Sequence, residues 1–248
     1  MATSVWSPER NPMSTPPTPE TPEDAAPVVH LYVLLDRSGS MASIADDVIG
    51  GYNSLLADQQ ADGADARVTL VQFDGQNPHE VIADAVPILE VLPLDAGTFV
   101  PRGATPLLDA TGLLLTRAGQ REGSLAALGE PGEEIIVVSI TDGHENASQE
   151  LDLATVRQLV DQRTGQGWTF VFLSAALDVY GEAACMGHDR RSTQAWAPDG
   201  DGAQVAFQSL SNATRERRRK VRSKEDFDKD DFFEGDKPAE RGRGRRSR

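Results

Sequence analysis

Asp36-Arg37-Ser38-Gly39-Ser40 sets one carboxylate and two hydroxyls at alternating positions on a glycine-containing turn. The turn follows Val28-Val29-His30-Leu31-Tyr32-Val33-Leu34-Leu35, the nearly continuous apolar run that a buried strand needs. Carboxylate and hydroxyl oxygens make a hard, all-oxygen ligand set, and such a set prefers Mg²⁺, Mn²⁺ or Ca²⁺ over zinc or copper. Two other segments offer more of the same chemistry. Gly103-Ala104-Thr105-Pro106-Leu107 brings a hydroxyl to the mouth of a helix, and Thr141-Asp142-Gly143 brings a second carboxylate to the end of another apolar run.

The elements that must position these groups alternate along the chain. Val28–Leu35 reads as a first, central strand, and a helix over Met41–Gln60 follows, with Ile44, Val48, Tyr52 and Leu55 on one face and Ser40 or Ser43 at its start. Arg67–Phe73 reads as a second strand. Glu80–Pro87 reads as a third, antiparallel to it, and Pro87 suits an edge. An irregular loop spans Leu94–Ala104, and a helix is expected over Pro106–Arg117. Then come a strand at Glu133–Thr141, a helix from Ser148 to Thr164, a strand at Trp168–Ser174 and a short helix at Val179–Met186. An edge strand at Ser192–Ala197 and a last helix over Gly202–Arg219 complete the series. This order predicts an α/β fold: a doubly wound, mostly parallel six-stranded sheet with one antiparallel edge strand. In such sheets ligands bind outside the carboxyl ends of the strands where strand order reverses. Asp36 and Asp142 meet across that point if the Glu133–Thr141 strand lies beside the first.

Composition narrows the setting. The chain has 248 residues and a net charge of −15. Residues 1–212 hold 10 Arg against 30 Asp and Glu, a net of −20, whereas the remainder holds 14 basic against 9 acidic residues, a net of +5. An acidic body repels nucleic acid and anionic membranes at long range. Residues 1–27 are rich in Pro and Thr and are expected to be disordered, as is a charged tail over 216–248 with a basic end; residues 28–215 are the expected domain. Cys185 is the only cysteine, so no intramolecular disulfide can form. The first residues lack the apolar core of a signal peptide, and no run of about 18 apolar residues is present, so a cytoplasmic location is expected.

With these positions assembled, the chain resembles a von Willebrand factor type A (VWA) domain with a metal-ion-dependent adhesion site. The pattern is Asp-x-Ser-x-Ser, a Thr on a later loop and an Asp after the fourth strand; Asp36, Ser38, Ser40, Thr105 and Asp142 supply it. The resemblance covers about residues 28–215, and the surroundings of Thr105 and Asp142 match those common in bacterial members. It implies a Rossmann-like fold and a bound Mg²⁺, with Mn²⁺ or Ca²⁺ as alternatives. It also implies a non-enzymatic role, in which the metal coordinates an Asp or Glu carboxylate from a protein partner. AAA+ ATPases are partners of many bacterial members.

Other readings stand beside this one. Ser38 and Ser40 alone are explained by a turn and a helix cap, and Thr105 alone by a cap before Pro106. His144 and Glu145 read as solvated rim residues, Asp199-Gly200-Asp201-Gly202 as a turn, and Cys185 as a core residue. A metal-assisted phosphatase or hydrolase using the same site is the enzymatic alternative, but Ser38 stands where an Asp-x-Asp pair would need its second carboxylate, and no nucleophile elbow or P-loop is present. Arg-Gly-Arg-Gly-Arg-Arg near the end could grip nucleic acid nonspecifically, which the acidic body disfavours. The acidic-aromatic stretch Glu225–Asp236, with Phe227, Phe232 and Phe233, could instead dock on a second copy of the chain, giving self-association.

Overall fold

The computed structural model describes residues 27–238 and 240; the expectations for residues 1–26 and for the arginine-rich end after 240 lie outside the described residues. Six strands form one sheet in the order β3-β2-β1-β4-β5-β6. They are β1 (Val29–Asp36), β2 (Ala66–Phe73), β3 (Glu80–Pro87), β4 (Glu134–Thr141), β5 (Thr169–Ser174) and β6 (Thr193–Ala195). β1 pairs in parallel with both β2 and β4, and only β3 runs antiparallel, on the edge beside β2. The expected sheet is therefore the one observed, and strand order reverses between β1 and β4.

Every residue of β1 is buried, because helices cover both faces of the sheet. Alternation along the strand divides the core into two layers. Leu31, Val33 and Leu35 pack against α1 (Ala45–Asp62) and α5 (Gly200–Ser223). Tyr32 and Leu34 join Leu107, Leu114 and Val156 from α2 (Leu107–Leu128) and α3 (Leu153–Gly165). Each fully buried aliphatic side chain contributes about 1.5–3 kcal/mol, which ties strand register to stability. α1 and α5 approach so closely that a Cβ on Gly51 would lie 2.4 Å from the Phe207 ring. The short α4 (Val179–Cys185) lies between β5 and β6. Among the described residues no helix is long and apolar enough to cross a membrane.

Several boundaries differ from the sequence expectation for local reasons. α1 starts after a 3₁₀ turn, Gly39–Ile44, and neither Ser40 nor Ser43 caps it. α2 continues past Arg117 to Leu128, across Gly119 and Gly123, until Gly129 takes a left-handed φ of 70°. α3 starts at Leu153 with Asp152 as its cap, because Ser148 is held elsewhere by Glu145. The Asp199–Gly202 segment is not a free turn: Asp199 accepts from the Gly202 N–H and starts α5. Cys185 is exposed, since Val179, Ala183 and Met186 take the inward face of its short helix.

The largest correction concerns the tail. The expected boundary at 215/216 falls inside α5, which runs to Ser223, and Arg217 and Arg218 on it are buried. Beyond it the chain folds back as a strap. Phe232 and Phe233 enter the α1–α5 core layer, Phe227 packs against that layer, and the Arg217 guanidinium lies 4.0 Å from the centre of the Phe227 ring. Lys229 binds Glu134 at 3.0 Å, and Lys237 donates to the carbonyls of Arg190 and Thr193 along β6. The phenylalanines expected to anchor a second copy are already used within the chain's own core.

Candidate functional site

β1 ends with Asp36 at the bottom of a crevice. Its carboxylate is wholly buried, and both oxygens are held: Oδ1 accepts the Ser38 N–H at 2.6 Å, and Oδ2 accepts the Thr141 hydroxyl at 2.6 Å. Thr141 belongs to the neighbouring β4, so parallel pairing of β1 and β4 fixes this contact. The Ser38 side chain caps nothing. Its hydroxyl lies 3.1 Å from that of Ser40, and Ser40 donates to Asp142 Oδ1 at 2.7 Å. A chain of oxygens thus rises from the buried Asp36 turn to half-buried Asp142.

Thr105 arrives on the loop before α2. Backbone bonds stitch that loop to the Asp36–Ser40 turn: Gly39 N–H to Gly103 O at 3.0 Å, and Arg102 N–H to Arg37 O at 2.8 Å. Gly103 has φ 69° and lies against Gly75, where a Cβ would come within 3.2 Å of the Gly75 nitrogen. Thr105 is clamped from the other side, its N–H donating to Asn146 Oδ1 and its carbonyl accepting the Asn146 N–H. A Cβ placed on Gly143 would lie 3.8 Å from both the Ser40 and the Thr105 hydroxyl oxygens. Ser40 and Thr105 therefore converge over Gly143 from two different loops. Thr105 does not cap α2; Glu145 does that work, accepting the Leu108 N–H at 2.8 Å while also accepting the N–H groups of Ala147 and Ser148.

All five residues singled out in the sequence are thus gathered on the same rim. Asp36, Ser38, Ser40 and Asp142 are joined by bonds within the set or through one shared neighbour, and Thr105 faces them across Gly143. Sequence reasoning missed Thr141 and Asn146, whose roles depend on pairing between segments. It also read Glu145 as solvated. A Glu placed between Gly143 and Ser148 ahead of a helix is a capping signal, but here it serves α2, a helix that precedes it in the chain. His144 is half-exposed and lies 3.5 Å from Glu182.

Electrostatics set the crevice apart. Burial pushes the Asp36 carboxyl up to about 6, against the bonds from Thr141 and Ser38, and the Asp142 charge adds to the rise. Burial also raises Asp142, against its bond from Ser40. Two desolvated carboxylates near one another favour a cation between them. Among the described residues no group of three or more His, Cys, Asp or Glu is clustered to hold a metal, so the donor set here rests on hydroxyls. Three hydroxyls and two carboxylates fit a hard divalent cation and suit neither zinc nor copper.

The fold is that of von Willebrand factor type A domains. Similar solved structures include the pilus adhesin SpaC from Lactobacillus rhamnosus GG, with 14% identity and a TM-score of 0.54, over 77% of this chain and 31% of the adhesin. This chain therefore spans about a third of that protein's length. The vWF domain of the type V pili tip protein Mfa5 from Porphyromonas gingivalis matches with 9% identity and a TM-score of 0.51, over 78% of this chain and 96% of that domain. A von Willebrand factor type A protein from Catenulispora acidiphila matches with 13% identity and a TM-score of 0.50, over 76% of this chain and 43% of its own. No family model matches the sequence, and no curated protein matches it.

Proposed function

We propose that this protein is a metal-dependent protein-binding module. Asp36, Ser38, Ser40, Thr105 and Asp142 would hold Mg²⁺, or Mn²⁺ or Ca²⁺ in its place, and the metal would take an Asp or Glu carboxylate from a protein partner. The observation that carries this reading is the convergence of the Ser38, Ser40 and Thr105 hydroxyls with Asp142 above a buried, uncompensated Asp36. With Asp36 and Asp142 holding waters, the neutral hydroxyls would leave most of the cation's charge unquenched, and it would favour an added anion. The acidic body selects a partner whose key carboxylate is ringed by basic residues. An AAA+ ATPase is the partner class that the resemblance suggests. The enzymatic alternative is the weaker reading: His144, the histidine at the rim, lies 3.5 Å from Glu182.

Titration of Mn²⁺ into the full chain tests the first half. One binding event is expected, and it is lost in Thr105→Ala and Asp36→Ala chains that still unfold cooperatively. Partner capture in Mg²⁺ and in EDTA tests the second. A partner that binds equally well in EDTA and to Thr105→Ala would sink the adhesion reading.

A further inference from the structure

A second feature lies away from the rim, along the middle of α5. Ser209, Asn212, Ala213 and Glu216 form one helical face there, and the strap residues Phe232 to Pro238 wall it off, enclosing a cavity of about 300 Å³. Its lining joins three carboxylates, Glu216, Glu234 and Asp236, to the rings of Phe232 and Phe233. The rings meet edge-on, with centroids 5.3 Å apart. Ser209 lines the same cavity. It is 4% exposed, and its hydroxyl has no hydrogen-bond partner. A buried hydroxyl without a partner costs free energy that a bound donor would recover.

The lining selects a cation. Lys220 already pairs with Glu234, and Arg219 with Glu216 at 2.8 Å, but a carboxylate accepts several donors and the cavity holds three. A guanidinium suits it better than an ammonium. Its planar fork reaches a carboxylate and a hydroxyl together. The strap already holds one guanidinium nearby, where Arg217 lies over Phe227. We propose that this acidic-aromatic cavity binds an arginine side chain of a basic peptide. Charge complementarity supports that occupant, and the chain carries one such sequence itself. Arg241-Gly242-Arg243-Gly244-Arg245-Arg246-Ser247-Arg248 begins three residues after Pro238, a cavity-lining residue.

The test uses a labelled synthetic octapeptide of sequence Arg-Gly-Arg-Gly-Arg-Arg-Ser-Arg, measured by fluorescence anisotropy. The full chain is titrated in parallel with a full-length variant in which the arginines at 241, 243, 245, 246 and 248 are serine, so that competition from the attached segment cannot hide the site. Binding is expected in at least one of the two. In that chain, Glu216→Gln combined with Glu234→Gln should weaken it about tenfold or more. Ser209→Ala should weaken it about fivefold. An all-lysine peptide of equal charge should bind several-fold more weakly, and Glu150→Gln, outside the cavity, should change nothing. Thermal unfolding of each variant confirms that it folds. Absence of binding to both chains, equal affinity for the lysine peptide, or indifference to the Glu216/Glu234 and Ser209 changes would each overturn the proposal.

Discussion

Two adjacent strands end in buried aspartates that meet opposite fates. Asp36 closes β1, and Asp74 follows directly on β2. Both are inaccessible to solvent, and both accept a backbone N–H from two residues on, Ser38 for one and Gln76 for the other. Around Asp74 the chain supplies its own cations. Arg37 donates to it at 2.5 and 3.0 Å and Arg102 at 3.0 Å, while Glu80 shares both guanidiniums. Burial alone would raise the Asp74 carboxyl, yet the Gln76 N–H and Arg37 hold it below the ordinary range. Around Asp36 the neighbours are hydroxyls and another carboxylate, and it is pushed upward. Arg37 lies next to Asp36 in the chain but turns its charge to Asp74. One strand-end carboxylate is neutralised by guanidiniums of the protein itself, and its neighbour is met only by a backbone N–H and a hydroxyl, which is the contrast the proposed cation would answer.

The most disruptive change should be Arg37→Met, which strips the buried Asp74 of its main partner. Losing one member of a buried pair costs about 3–5 kcal/mol, read as a lower urea midpoint with unchanged slope. A small loss would mean that Arg102 alone suffices for Asp74, and the contrast with Asp36 would weaken. A third buried titratable group, His188, sharpens it from the side of a base. Neither ring nitrogen has a partner, and burial pushes its pKa down to about 4. The unfolded chain, with an ordinary histidine near 6.5, takes up the proton first. The His188 contribution should therefore be intact above about 6.5 and fall by about 3 kcal/mol as the pH drops to about 4, opposed over the same window by Asp36, whose raised carboxyl takes up its proton first in the folded chain. His188→Leu should remove that loss and leave stability rising toward acid through Asp36, measured by urea unfolding in EDTA.

Adding Mg²⁺ at about a hundredfold above its dissociation constant should stabilise the wild type by about 2.7 kcal/mol. Thr105→Ala should abolish most of that gain, whereas a change at Asp74 that preserves folding should leave it. The smallest effect belongs to Asp36→Asn in EDTA. Removing an uncompensated buried charge should raise stability by about 1 kcal/mol, even as it ends the response to Mg²⁺. If Asp36→Asn destabilises the metal-free chain as strongly as Arg37→Met does, the two aspartates are not the opposites described.

The strand order and the five rim residues were legible in the sequence because they rest on local signals. An apolar run ended by Asp36 reads as a strand end without knowledge of its neighbours, and alternation of Ser38 and Ser40 needs only the turn. The Arg37–Asp74 pair was not legible. Its members lie 37 residues apart, and Asp74 reads as an ordinary turn residue until β1 and β2 are placed side by side. The strap was misread for a related reason. A segment rich in Arg, Asp and Glu carries the composition of a solvated tail, and composition does not tell that Arg217 reaches Thr169, or that Phe232 and Phe233 find room beside α5. Charged residues are buried here only because partners from distant segments satisfy them, and no window of sequence contains both halves of such a bond.

Arg218 carries a consequence for how the molecule is made. From the far end of the chain it donates to the carbonyls of Gln59 and Gly63, at 2.7 and 2.8 Å, and to Asp65. It thereby finishes a helix whose own residues were synthesised some 155 positions earlier. Without that segment the Gln59 and Gly63 carbonyls lack their guanidinium partner, and the face of the sheet that α1 shares with α5 is only partly covered. The α1–α5 layer is complete only when this late segment is in place, so this half of the core is expected to close as a unit rather than by progressive growth from its first strand.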